Sequence, residues 1–188
     1  MDDFEFTCQL FSKFFSQKRI QNTLNSICEL DITGWEKWWQ VEMAIYIDNH
    51  NDIAEWGIEE DFLIDKRSKG KQKNKIAIDL SYRRKNYSKD KFIYVELKQA
   101  DETTTCIRNM CSDLDKVYTA RKKSQYGSEI RDFYLVGVHL RDSTKGAVKQ
   151  LVNLHLEDRN TYLYEFFVDE DTIEVSVIPS TEYYYTIF

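Results

Sequence analysis

Eight residues in the middle of the chain constrain the fold more than any others. Phe92-Ile93-Tyr94-Val95-Glu96-Leu97-Lys98-Gln99 alternates, with Ile93, Val95 and Leu97 on one side and Phe92, Tyr94, Glu96 and Lys98 on the other. A period of two fits a strand and no helix. Three aliphatic side chains on one face need cover, so this strand belongs in a sheet with a layer packed over it. The opposite face carries a carboxylate and an ammonium that point the same way, side by side.

The surroundings of the strand predict the rest of the architecture. Phe4 to Leu30 reads as a helix or helix pair, from apolar residues at Phe4, Cys8, Phe11, Phe15, Ile20, Leu24 and Ile27. Thr33 and Glu36 are spaced as in a capping box and open a helix that runs to about Asp48. After the turn cluster Asn49-His50-Asn51-Asp52, strands are expected at Gly57 to Lys66 and at Lys75 to Arg83, with basic loops around them. A helix entered at Thr103 and Thr104 carries Ile107, Met110, Cys111, Leu114, Val117 and Tyr118 at helical spacing. Phe133 to Leu140 reads as a buried strand and Lys145 to His155 as a helix. Strands at Tyr162 to Val168 and Ile173 to Ile178 would form a hairpin over Asp169-Glu170-Asp171. The expectation is one α/β domain over residues 1–188: a helical extension at 1–30, a mixed-sheet core at 33–140, and a C-terminal helix with a β-hairpin at 141–188.

Composition narrows the class. Hydrophobic residues are 42% of the 188, with 14% aromatic and a single proline, which suits one packed core and excludes a disordered or collagen-like chain. No apolar run is long enough to span a membrane. The N-terminus Met1-Asp2-Asp3 is acidic where a secretory signal would be basic. Cys8, Cys28, Cys106 and Cys111 are too scattered for a zinc knuckle or a disulfide framework, so reduced thiols in the cytoplasm are expected. The net charge of −6 is unevenly spread: Lys66 to Lys91 holds eleven basic residues against two acids, and Glu157 onward eight acids against one base. One end could meet a polyanion, through residues such as Lys69, Lys71, Lys73, Arg83 and Arg84, and the other would repel it. A solvated lysine-rich loop is the alternative.

Four residues stand where a purely structural sequence would rarely put them. In the second strand Ile76, Ile78, Leu80 and Tyr82 share a face, leaving Asp79 on the other between the small residues Ala77 and Ser81. A hairpin over Lys85 to Lys91 would bring Asp79 close to Glu96. Two facing carboxylates need a cation or a proton between them, and all-oxygen ligation suits Mg²⁺ or Mn²⁺. On the helix from Thr33, Glu42 falls amid Trp35, Trp38, Trp39, Ile45 and Tyr46, so an inward carboxylate needs a metal, a lysine or a hydrogen-bond donor. An ion pair of Glu42 with Lys98, or a buried hydrogen bond, is the structural alternative. His50, His139 and His155 are too isolated for a catalytic or metal motif. Arg108, Lys116, Arg121, Lys122 and Lys123 could contact phosphates or form a solvated helix face. Tyr183-Tyr184-Tyr185 and Phe188 are expected to pack on the sheet or on a second subunit.

Asp79, a basic turn, Glu96-Leu97-Lys98 on a strand and an inward Glu42 on the preceding helix resemble the P-D-(D/E)-x-K nuclease superfamily, over roughly residues 33–140. Ile78 stands where the family's name has proline, a residue often missing in the superfamily. The resemblance implies a restriction-endonuclease-like fold in αβββαβ order and an Mg²⁺- or Mn²⁺-dependent endonuclease that hydrolyses nucleic acid, DNA ahead of RNA. It implies that Asp79 and Glu96 hold the ion, with the Leu97 carbonyl and Glu42 as further ligands. Lys98 would orient or deprotonate the attacking water and stabilise charge on the scissile phosphate. A homodimer would suit double-strand cleavage. Two other readings compete: a nuclease-like fold used without cleavage to bind a partner, as an immunity-type protein does, and a structural charge network in an unrelated α/β protein.

Overall fold

The structure, a computed structural model, describes residues 1–63, 75–123, 130–158 and 172–188. The N-terminal 30 residues form the expected helix pair, α1 (Asp3–Phe15) and α2 (Lys18–Glu29). Asp2 caps α1, its carboxylate accepting from the Glu5 amide at 2.7 Å. Then follow α3 (Glu36–Asp48), β1 (Ile53–Leu63), β2 (Lys75–Arg84), β3 (Phe92–Gln99), α4 (Thr103–Lys123) and β4 (Ile130–Leu140). The chain closes with α5 (Lys145–Asp158), β5 (Glu174–Val177) and β6 (Tyr183–Ile187).

The strands form one mixed sheet in the order β1-β2-β3-β4-β6-β5. Only β3 and β4 run parallel, joined by α4 as a crossover; the other neighbours are antiparallel. Alternation along the strands divides the core in two. Leu80, Tyr82, Ile93, Val95, Leu97, Val136 and Val138 pack with α1, α2 and α3. Tyr94, Phe133 and Leu135 pack with α4 and α5, around Cys106, Ile107, Met110, Leu114, Val148 and Val152. Trp39, Phe11, Phe14 and Phe15 are wholly buried in the first layer. Each such side chain contributes about 1.5–3 kcal/mol by leaving water. Glu96 and Lys98, on the opposite parity to Val95 and Leu97, face α4.

One glycine matters to this layering. Gly137 pairs in register with Lys98, and a Cβ there would lie 2.3 Å from the Met110 sulfur and 2.8 Å from that of Cys106. Only a residue without a side chain lets α4 press this closely on β3 and β4.

Several boundaries differ from the sequence expectation. β1 begins at Ile53 rather than Gly57, and Asn49 to Asp52 serve as the tight turn leading into it. The Thr33–Glu36 capping box does not form: Trp35 is the N-cap of α3 and no side chain caps it. The aromatic C-terminus does pack on the sheet, but as a strand of it, with β6 between β4 and β5. The hairpin expected over Asp169-Glu170-Asp171, with its strand at 162–168, lies outside the described residues. Among the described residues no helix is long and apolar enough to cross a membrane. All four cysteines are free thiols, Cys106 and Cys111 buried.

Candidate active site

The strand pairs set the geometry. β2 and β3 are paired from Leu80↔Val95 to Tyr82↔Ile93. Beyond Leu80 the alternation of β2 breaks: Ile78 packs in the α4 layer while Leu80 and Tyr82 pack with α1–α3, against the expectation that they share a face, and at Asp79 side chains replace the ladder. The Asp79 carboxylate accepts from the Leu97 backbone amide at 2.8 Å, and the Asp79 carbonyl accepts from the Gln40 side-chain amide at 2.6 Å. Both bonds satisfy main-chain groups that a parted pair of strands would otherwise leave open. The neighbouring β1 residue, Glu59, has φ +53°, a left-handed conformation uncommon in a glutamate, so the sheet is irregular on both sides of Asp79.

The parting opens a cleft of about 480 Å³ lined by Gly34, Glu36, Lys37, Gln40, Glu59, Asp79, Leu97 and Gln99. Glu36 enters it from the first turn of α3 and accepts from the Gln99 amide at 2.9 Å. Burial raises the Glu36 carboxyl above its ordinary value, and the charges of Asp79 and Asp113 add to this; Lys98 and the Gln99 amide pull the other way. Lys37 and Glu59 form an exposed ion pair at the mouth.

Behind the cleft, Lys98 is held by carboxylates. Its ammonium lies 2.7 Å from Asp113 on α4 and 3.8 Å from Glu96. Glu96 is 2% exposed. Burial alone would lower the Lys98 pKa, but the Asp113 hydrogen bond and charge, with Glu36 and Glu96, outweigh it and hold the ammonium above its ordinary range. Lys98 is therefore a cation at neutral pH. Glu36, Asp79, Lys98 and Asp113 interact as one charged cluster, with Glu96 beside Lys98.

Three expectations are corrected. Glu42 does not point into this cluster; its carboxylate pairs with Arg19 of α2. The reason lies in which stripe of α3 is buried. Trp39, Gln40, Met43, Ala44 and Ile47 are buried while Val41 and Ile45 are exposed, which turns the inward face toward Glu36 and leaves Glu42 about 120° round the helix from it. Arg83, expected at a phosphate, is engaged within the fold: it is 6% exposed and donates to Glu55 at 2.6 Å and to the Tyr87 carbonyl at 3.3 Å. Arg84 is likewise engaged, donating to Asp3 at 3.0 Å over the rings of Phe6 and Tyr87. Lys69, Lys71 and Lys73 lie outside the described residues, as do the side chains of Lys116, Arg121, Lys122 and Lys123.

The sequence reading missed Glu36, Gln40 and Asp113. Asp113 carried a signal, since it lies seven residues after buried Cys106, two turns along the same face of α4. His139 is a wholly buried core histidine, bonded through Nδ1 to Thr103 at 2.8 Å and through Nε2 to Thr186 at 2.9 Å. Compared with protein-family models, with curated proteins and with solved structures, the chain matches none.

Proposed function

We propose that this protein is a metal-dependent nuclease of the P-D-(D/E)-x-K kind on a restriction-endonuclease-like fold, hydrolysing phosphodiester bonds of nucleic acid, DNA ahead of RNA. The observation that carries the reading is the tie between the Asp79 carboxylate and the amide of Leu97, the residue between Glu96 and Lys98, with Glu36 in the same cleft. The order α3-β1-β2-β3-α4-β4 supports the fold.

The donor set fits a hard divalent ion. The cleft offers carboxylate oxygens, and burial, with the charges of Asp79 and Asp113 adding to it, raises Glu36, a state that a bound cation relieves. Among the described residues no three His, Cys, Asp or Glu side chains are yet gathered into a group able to hold a metal. Asp79 and Glu96 would hold it, with the Leu97 carbonyl, and Glu36 takes the helix position first assigned to Glu42. Bound Mg²⁺ or Mn²⁺ supplies a Lewis acid and an acidified water. Lys98, protonated and pinned by Asp113, serves as a fixed charge that orients the attacking water and stabilises the scissile phosphate; its raised pKa argues against a role as base. Gln40 holds the Asp79 backbone and so the aim of its carboxylate.

A binding protein without cleavage is the second reading, favoured by the engagement of Lys98 with Asp113. Thermal melts with Mg²⁺ or Mn²⁺ test the metal site. The ion should raise the melting temperature of the wild type and do much less for Asp79→Asn. Equal stabilisation of both proteins would remove the site, and stabilisation without any cleavage would select the second reading.

A further inference from the structure

The basic residues at the end of β2 build a second concavity, about five residues or roughly 17 Å along the strand from Asp79. Its scaffold is the β2–β3 turn. Buried Arg83 ties the turn by donating to the Tyr87 carbonyl, the Lys85 amide donates to the Asp52 carbonyl at 2.8 Å, and Asn86 takes the left-handed conformation at φ +69°. Arg84 is fixed between the Phe6 ring, 4.3 Å from its guanidinium carbon, and the Tyr87 ring at 4.8 Å. These contacts frame a cavity of about 420 Å³ whose lining includes Lys13, Lys85, Arg84 and His50, with Asp52 as its only carboxylate.

Among the described residues the charge inside is not balanced by carboxylates. Asp3 neutralises Arg84, but among the described residues neither Lys13 nor Lys85 has a carboxylate partner. Both ammoniums act on His50, whose pKa burial lowers; Asp52 opposes this, and Lys13 and Lys85 add smaller pulls downward. His50 Nδ1 accepts from the Asp52 amide at 3.2 Å, which places the proton of the neutral ring on Nε2 as a further donor. Two open ammoniums and donor groups approaching from α1, the 50–52 turn and the β2–β3 turn suit a multiply charged tetrahedral oxyanion better than a planar carboxylate. The volume lies within the range of small-ligand sites and admits a nucleotide-sized molecule.

We propose that this concavity, between α1 and the β2–β3 turn, is a binding site for the phosphate group of a small or strand-terminal phosphate ester. The site stands apart from the cleft, so it does not depend on the nuclease reading. The test is a ¹H–¹⁵N titration of the whole protein at constant ionic strength. The probes are inorganic phosphate, adenosine monophosphate, and a short single strand with and without a 5′-phosphate, with chloride as the control. Saturable shifts at Lys13, His50 to Asp52 and Lys85 to Tyr87 are expected for the phosphate-bearing probes and not for chloride. Lys13→Gln combined with Lys85→Gln, both on the surface and away from the packing of Arg83 and Arg84, should weaken binding at least tenfold while leaving the remaining spectrum unchanged. The tightest probe assigns the source: free anion, mononucleotide or strand end. Absence of saturation with every phosphate-bearing probe, or equal affinity in the double variant, overturns the site.

Discussion

Asp113→Asn removes the nearest charge to Lys98, and the structure sets the size of the effect. The two groups meet at 2.7 Å with side-chain exposures of 18% for Lys98 and 12% for Asp113. Stripping one partner from a fully buried ion pair costs about 3–5 kcal/mol, because the other charge stays desolvated. Here Glu96 remains 3.8 Å from the ammonium, so we expect a smaller loss. We put it at about 2–3 kcal/mol, or a fall of roughly 5–10 °C in melting temperature for a chain of this length. Urea unfolding at neutral pH measures it. The pH dependence has a definite sign. The folded-state pKa of Lys98 lies above its unfolded value of 10.5, so the pair's contribution is fully present below that value and is lost as pH rises through the folded one. The gap between wild type and Asp113→Asn should therefore hold from neutral pH to about 9 and close in strong alkali. Lys98→Met in the same background should restore much of the loss, giving a coupling of about 1.5–3 kcal/mol in a double-mutant cycle. A loss below about 0.5 kcal/mol, or strict additivity, would refute the claim that Asp113 pins Lys98.

Glu36→Gln should stabilise the metal-free protein at pH 7: the carboxyl has a raised folded-state pKa, so ionising it costs stability as pH rises above its ordinary 4.5. Denaturation at several pH values should show the advantage vanishing in acid and shrinking when Mg²⁺ is added. Gly137→Ala should cost about 1–3 kcal/mol by overpacking Met110 and Cys106, and should lower cleavage as α4 moves off Lys98; calorimetry and a rate assay read the two effects. Glu42→Gln, which loses only the pairing with half-exposed Arg19, should change stability by no more than about 1 kcal/mol and leave the cleavage rate unaltered.

The sheet was legible because its information is local. β3 runs from Phe92 to Gln99 as its alternation says, and period two alone puts Ile93, Val95 and Leu97 on one face and Glu96 and Lys98 on the other, although both faces are covered. The helix α3 was harder, because Val41 and Ile45 place apolar residues on its outer side and blur the stripe. Periodicity then chose Glu42, whereas tertiary packing buries the face of Met43 and Ile47 and turns Glu36 inward. Glu36 was assigned a capping role that its carboxylate does not have, since it bonds the Gln99 amide, 63 residues away in sequence. The arginines at the end of β2 illustrate the same limit. Charge counting cannot tell a phosphate contact from Arg83, whose partners Glu55 and Tyr87 are fixed only once β1 and the turn fold beside it. The strand β6 was missed because Tyr183-Tyr184-Tyr185 is apolar on both faces and offers no alternation.

The central claim, that this cleft hydrolyses phosphodiester bonds with a divalent ion, is tested most directly by one comparison. Wild type and Lys98→Ala are incubated with plasmid, linear and single-stranded DNA and with RNA, each with Mg²⁺, Mn²⁺ or chelator. The account predicts cleavage by the wild type that chelator abolishes, and a fall of about 10²- to 10⁴-fold in Lys98→Ala while metal-induced stabilisation persists. Equal rates for the two proteins, or no cleavage of any substrate by the wild type with either ion, would contradict it.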